Sequence, residues 1–197
     1  MSPTTAINLA VKVIQVVNLA IDVADKFVDV LKKAGVIENT RNSDELGAKV
    51  LRGREINITP KDVETPSDYL NYARQIDSLE IPQDKNYSPE QKRVAANEFI
   101  SEAVNVKFGK DSGVNNFLQE VNSHPNYYTT DRIEKYIESA RQNNLNMENI
   151  GRYFDNKLDS LQDIRRTESV MTDAEKSLGV NENEAKAAFD AERIRRE

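Results

Sequence analysis

The chain reads as all-α: a helical bundle around a long hydrophobic N-terminal helix, residues 4–34, with a helical hairpin at its C-terminal end. Three observations predict this. Capping boxes, in which a Ser, Thr or Asn is followed three residues later by Glu or Gln, recur at Asn42 with Glu45, Ser88 with Gln91, Thr172 with Glu175 and Asn181 with Glu184. Proline follows Ser or Thr in Ser2-Pro3, Thr59-Pro60, Thr65-Pro66 and Ser88-Pro89, where the first helical turn tolerates its missing N–H. Between these signals apolar residues return every three or four positions.

The first helix is expected to start at Ser2-Pro3 and close at Gly35. No Gly or Pro interrupts residues 4–34, which predicts a rod of roughly 45 Å. Asn8, Lys12, Gln15, Asn18, Asp22, Asp25 with Lys26, Asp29 and Lys32 with Lys33 form one narrow polar stripe, and the rest of its circumference is apolar, chiefly Ile, Leu, Val and Phe27. A helix this apolar must be covered on several sides. Its cover is the rest of the bundle, another chain, or a bilayer, and Val13, Val17, Ile21, Phe27 and Leu31 would act in the latter two cases. Asn8, Gln15 and Asn18 make it a poor transmembrane span, and no basic leader or Ala-x-Ala site marks a secretory signal.

Asn42 begins a short helix ending at Gly53, and Arg54-Glu55-Ile56-Asn57-Ile58 alternates like a short extended piece. Thr65-Pro66 opens a helix to Leu79 with Tyr69, Tyr72, Ala73 and Ile76 on one face, and Ser88-Pro89 opens another to Phe108. Asp111-Ser112-Gly113 caps a helix carrying Val114, Phe117, Leu118 and Val121. Residues 131–142 repeat the pattern with Ile133, Tyr136 and Ile137. One long helix is expected from Asn146 to Arg166, followed by two capped helices around Leu178-Gly179-Val180. Domain organisation follows: residues 1–143 form the bundle, and 144–197 a long helix plus the hairpin.

Composition narrows the function. Of 197 residues 38% are hydrophobic and 30% charged, with no Trp and 13 Phe plus Tyr, which suits a thin core shared among helices. The net charge of −6 is spread evenly, so no basic stripe invites duplex nucleic acid. The chain has no Cys, which removes disulfides and thiolate chemistry. It has one His, His124, too few for an imidazole zinc site or a di-iron bundle, and its place between Ser123 and Pro125 reads as a surface loop.

Gly109-Lys110-Asp111-Ser112-Gly113 shares letters with a serine-protease nucleophile loop but reads as a helix cap. No phosphate-binding or dinucleotide glycine motif occurs. Asp131, Glu134 and Glu138 share a helix face with Arg132, Lys135 and Arg141, a solvated charge row. Asp155 and Asp159 lack the rest of a calcium loop. Residues around Ala174, Leu178, Gly179, Ala185 and Ala188 resemble a helix-turn-helix. However, Glu175 replaces its small residue and Glu182 and Glu184 would face the phosphates, so an ordinary hairpin is expected.

Ser2-Pro3-Thr4-Thr5-Ala6-Ile7, Val16-Val17, Gly35, Glu38-Asn39 and Leu46 resemble the opening of fungal cell-death receptor chains. The resemblance covers about the first 50 residues and is not continued by the later helices; it implies a membrane-active first helix.

The reading that follows is a non-catalytic interaction or assembly protein, such as a bacterial or viral effector, immunity or scaffold component. It takes no cofactor or metal and no nucleic acid. Its partner is another protein or a second copy, met through apolar helix surfaces. A membrane-perturbing effector or toxin component acting through helix 4–34 ranks second. The expected location is cytoplasmic, or secreted without a cleavable signal.

Overall fold

A computed structural model describes residues 16–60, 63 and 65–197. Among these the chain is all-α, with nine α-helices and no strand. They are α1 Ile21–Lys33, α2 Ser43–Glu55, α3 Pro66–Asp77, α4 Pro89–Phe108, α5 Val114–Ser123, α6 Thr130–Gln142, α7 Glu148–Phe154, α8 Leu161–Ser177 and α9 Glu182–Arg196.

The sequence signals place most helix starts. Ser88 and Asn181 each close a capping box, with Pro89 in the first turn of α4. Thr65 closes a further box with Asp68, and Asn42, Thr129 and Ser160 cap α2, α6 and α8. Gly35 at φ 70° ends α1, with the Val36 N–H donating to the Leu31 carbonyl.

Four local expectations are corrected. The helix expected over 4–34 begins at Ile21, while residues 16–20 are not helical; residues 4–15, with Val13, lie outside the described residues. Val17 and Leu19 are buried between exposed Val16, Asn18 and Ala20, a period of two that a helix cannot present. The α2 helix passes through Gly53 to Glu55, so 54–58 is a helix end and turn instead of an extended piece. The long helix expected from Asn146 to Arg166 breaks after Phe154. Asn156 takes φ 56°, the Lys157 N–H closes onto the Arg152 carbonyl, and Ser160 caps α8 afresh. Thr172-Asp173-Ala174-Glu175 is no cap but lies inside α8, and Glu175 turns into the core.

The longest helix, α4, takes the central place. It packs against α1, α2, α3 and α5, and its buried residues (Ala95, Ala96, Phe99, Ile100, Ala103, Val104) fall on several sides. Its alanines allow close approach. Gly47 of α2 lies so near the Lys92 carbonyl that a Cβ there would overlap it. A second layer, α6 against α8 with α7 and α9, gathers Phe117, Tyr127, Tyr128, Tyr136, Phe154 and Phe189 edge to face. The core is one contiguous cluster running from Val17 to Phe189.

Candidate functional site

The buried ionisable groups outline what the interior does. Glu175, fully buried, lies 2.7 Å from the Arg132 guanidinium and accepts from the Tyr136 hydroxyl at 2.8 Å. The Tyr136 and Tyr127 hydroxyls meet at 2.9 Å. Burial raises the hydroxyl pKa of both tyrosines well above its ordinary value, so they remain neutral hydrogen-bonding groups. Nearby, Arg196 donates to Glu120 at 2.6 Å and pairs with Glu192 at 3.2 Å and Asp155 at 3.3 Å; Tyr128 donates to Glu120 at 2.8 Å. Each carboxylate of this interior network is answered by a cation or a hydroxyl. The Arg196 group clamps α9 onto α5 and the end of α7, and the Glu175 group ties α8 to α6.

The residues singled out for chemistry behave likewise. His124 is half-buried at the end of α5, its Nδ1 3.6 Å from Glu192. The Ser112 hydroxyl donates to the Gly109 carbonyl at 2.5 Å within a single 3-10 turn. Lys33 of α1 spans Asp131 (2.6 Å) and Glu134 (2.7 Å), and Lys135 pairs with Glu138, so the acidic row of α6 is a helix-to-helix tie. Arg132, expected in that row, turns inward to Glu175. Among the described residues no group of three or more His, Asp or Glu is arranged to hold a metal. None of their helices is long and apolar enough to cross a membrane.

The expected interaction residues divide sharply. Phe27 and Leu31 are completely buried and Val17 nearly so, whereas Ile21 is 65% exposed. Ile21 is the first residue of α1, whose N-cap, Ala20, supplies no capping side chain. It borders a hollow of about 330 Å³ where the N-terminal ends of α1, α2 and α4 converge. Ala24, Pro89 and Ala96 supply apolar walls, and Ser43, Asp44, Glu90, Arg93 and Asn97 a polar rim. Ser43 is fixed by Asp25, whose carboxylate accepts from the Ser43 N–H (2.8 Å) and hydroxyl (2.6 Å).

Beside the hollow, residues 16–20 lie as a strap between α4 and α5. The Val17 N–H donates to the Ser101 hydroxyl at 3.2 Å, and the Ala20 N–H to the Asn122 side chain at 2.8 Å. Asn122 returns a bond to the Asn18 carbonyl at 3.4 Å, Asn97 donates to the Leu19 carbonyl at 3.4 Å, and Arg93 donates to the Asn18 side chain. Burial alternates along Val16, Val17, Asn18 and Leu19 but their polarity does not, and Asn18 falls on the helical polar stripe, so the residue types carry no sign of a strap. Glu175 offered a signal: its spacing from Met171 and Leu178 places a carboxylate on the buried face of α8.

Comparison with known protein families, with curated proteins and with solved structures finds no match to this chain.

Proposed function

We propose that this chain is a non-catalytic helical assembly protein that associates with a second copy through the hollow at the N-terminal end of α1. The observation that carries the reading is Ile21: a 65% exposed isoleucine on a helix whose Phe27, Val28 and Leu31 are fully buried, set against an apolar-walled hollow. A lone exposed apolar side chain is ordinary; one beside a concavity with a polar rim has the form of an interface anchor. The burial of Phe27 and Leu31 also weighs against the membrane-perturbing alternative. Delivering them to a bilayer would first expose the core at about 1.5–3 kcal/mol per large apolar side chain.

Sedimentation velocity of the full chain over a concentration series tests this. The expected result is reversible association that Ile21→Glu abolishes without lowering the melting temperature, because the side chain is already in solvent. Association indifferent to that substitution, or a monomer at every concentration, overturns the reading.

A further inference from the structure

We infer that a second hollow, where the last turns of α1 and α4 meet the C-terminal part of α6, binds a small organic acid: a carboxylate carried on an aromatic or apolar body. The assembly reading above makes no use of this face.

The hollow measures about 650 Å³, the size of pockets that hold one small molecule. Its apolar lining comes from all three helices. Val30 and Ile137, each 2% exposed, line it together with Ala34 and the half-buried Phe108.

Charge sets the class of ligand. Both carboxylates of the lining are already answered: Glu134 by Lys33 at 2.7 Å, and Glu138 by Lys135 at 2.7 Å and the Gln142 amide at 3.4 Å. Two further cations of the lining, Lys107 and Arg141, enter no ion pair or side-chain hydrogen bond among the described residues. Arg141 instead lays its guanidinium over the Phe108 ring, 5.7 Å from the ring centre. That contact keeps a fork of N–H donors beside an aromatic surface.

The carbonyl end of a helix opposes an anion, and three helices end near this hollow. Two of those ends are already capped. At α1 the N–H groups of Ala34, Gly35 and Val36 donate to the carbonyls of Val30, Lys32 and Leu31 respectively. At α6 Arg166 donates to the Asn143 and Asn144 carbonyls at 2.8 and 3.0 Å. The end of α4 keeps about half a negative charge, against the full positive charges of Lys107 and Arg141. The balance favours an anion, and both cations are donors suited to a carboxylate. An inorganic anion gains nothing from Val30, Ile137 and Phe108, whereas an organic acid buries apolar surface against them as well.

The probe is para-(trifluoromethyl)benzoate, followed by its fluorine NMR line as the full chain is titrated in. Saturable binding is expected, with a dissociation constant of about a millimolar for a ligand this small. Backbone amide shifts should move at Val30, Ala34, Phe108 and Ile137. The uncharged para-(trifluoromethyl)benzamide should bind the wild type about tenfold or more weakly than the benzoate does. A chain carrying both Lys107→Gln and Arg141→Gln should lose about tenfold or more in affinity for the benzoate. Neither side chain is buried, so that variant should keep its fold, which its amide spectrum reports. Inorganic phosphate should leave the bound probe in place. Equal binding of benzoate and benzamide, unchanged affinity in the double variant, shifts centred elsewhere, or no saturable binding each overturns the inference. Displacement by phosphate overturns it too, by reducing the site to two surface cations.

Discussion

Asp77, at the end of α3, organises the connection between α1 and α2 almost alone. Its buried carboxylate accepts from the backbone N–H groups of Glu38 (2.7 Å), Asn39 (2.9 Å) and Thr40 (2.9 Å) and from the Thr40 hydroxyl at 2.7 Å. Buried Lys49 donates to the Asp77 carbonyl at 2.7 Å. Burial works to raise the carboxyl pKa, but the Thr40 hydroxyl and the three N–H donors outweigh it and hold the value below the ordinary range. A depressed folded-state pKa contributes stability that is present above the unfolded value and lost as pH falls through the folded one. Asp77→Asn turns an amide nitrogen or a weaker acceptor toward those donors, and should cost about 2–3 kcal/mol at pH 7. Urea midpoints measured at pH 7 and again below about pH 4 should show the gap between variant and wild type closing in acid, near the carboxylate range. A gap equally wide at both would remove the charge from the explanation.

Among elements, the contact between α2 and α4 depends on the smallest side chain. Gly47 sits mid-helix in α2, where glycine costs about 1 kcal/mol in propensity relative to alanine. Its use there is steric, because an added Cβ would overlap the Lys92 backbone, which cannot yield as a flexible side chain would. Gly47→Ala should therefore destabilise by about 1–3 kcal/mol despite the better propensity. Chemical denaturation decides the sign, and a stabilised variant would mean the two helices part freely. The sequence spacing suggested that Gly53 ends α2; the helix continues to Glu55 because packing against α4 holds its last turn in place. Packing likewise overrides propensity at residues 16–20, where burying Val17 and Leu19 against α4 and α5 takes precedence over continuing α1.

For the whole molecule, the α9 clamp matters most. Arg196 is 6% exposed at its side chain, with Glu120 at 10% and Glu192 at 5%, so removing the cation leaves two carboxylates in a dry site. Arg196→Met should cost about 3 kcal/mol or more. Because Met171, Phe154 and Phe189 belong to the same core as Phe27 and Leu31, calorimetry should show one cooperative transition moved to lower temperature. A second transition appearing in the variant would show that the α7–α9 region unfolds by itself.

By itself the sequence determined the class of fold, most helix starts and the core faces of α3, α5 and α6, because caps, prolines and three-to-four spacing act within a few residues of chain. It also singled out Ile21 and Phe27 on one apolar helix without distinguishing them. Tertiary structure decided that difference: Ile21 stands at the open start of α1 while Phe27 meets the bundle on every side. It decided too that Glu120, Glu175 and Glu192 point inward, that residues 16–20 form a strap, and that α4 is the hub. These outcomes rest on partners some 40 to 100 residues away, such as Arg132 for Glu175 and Ser101 for Val17. Only the folded chain brings such partners within hydrogen-bonding range, where the cost of an unpaired buried group overrides local preference.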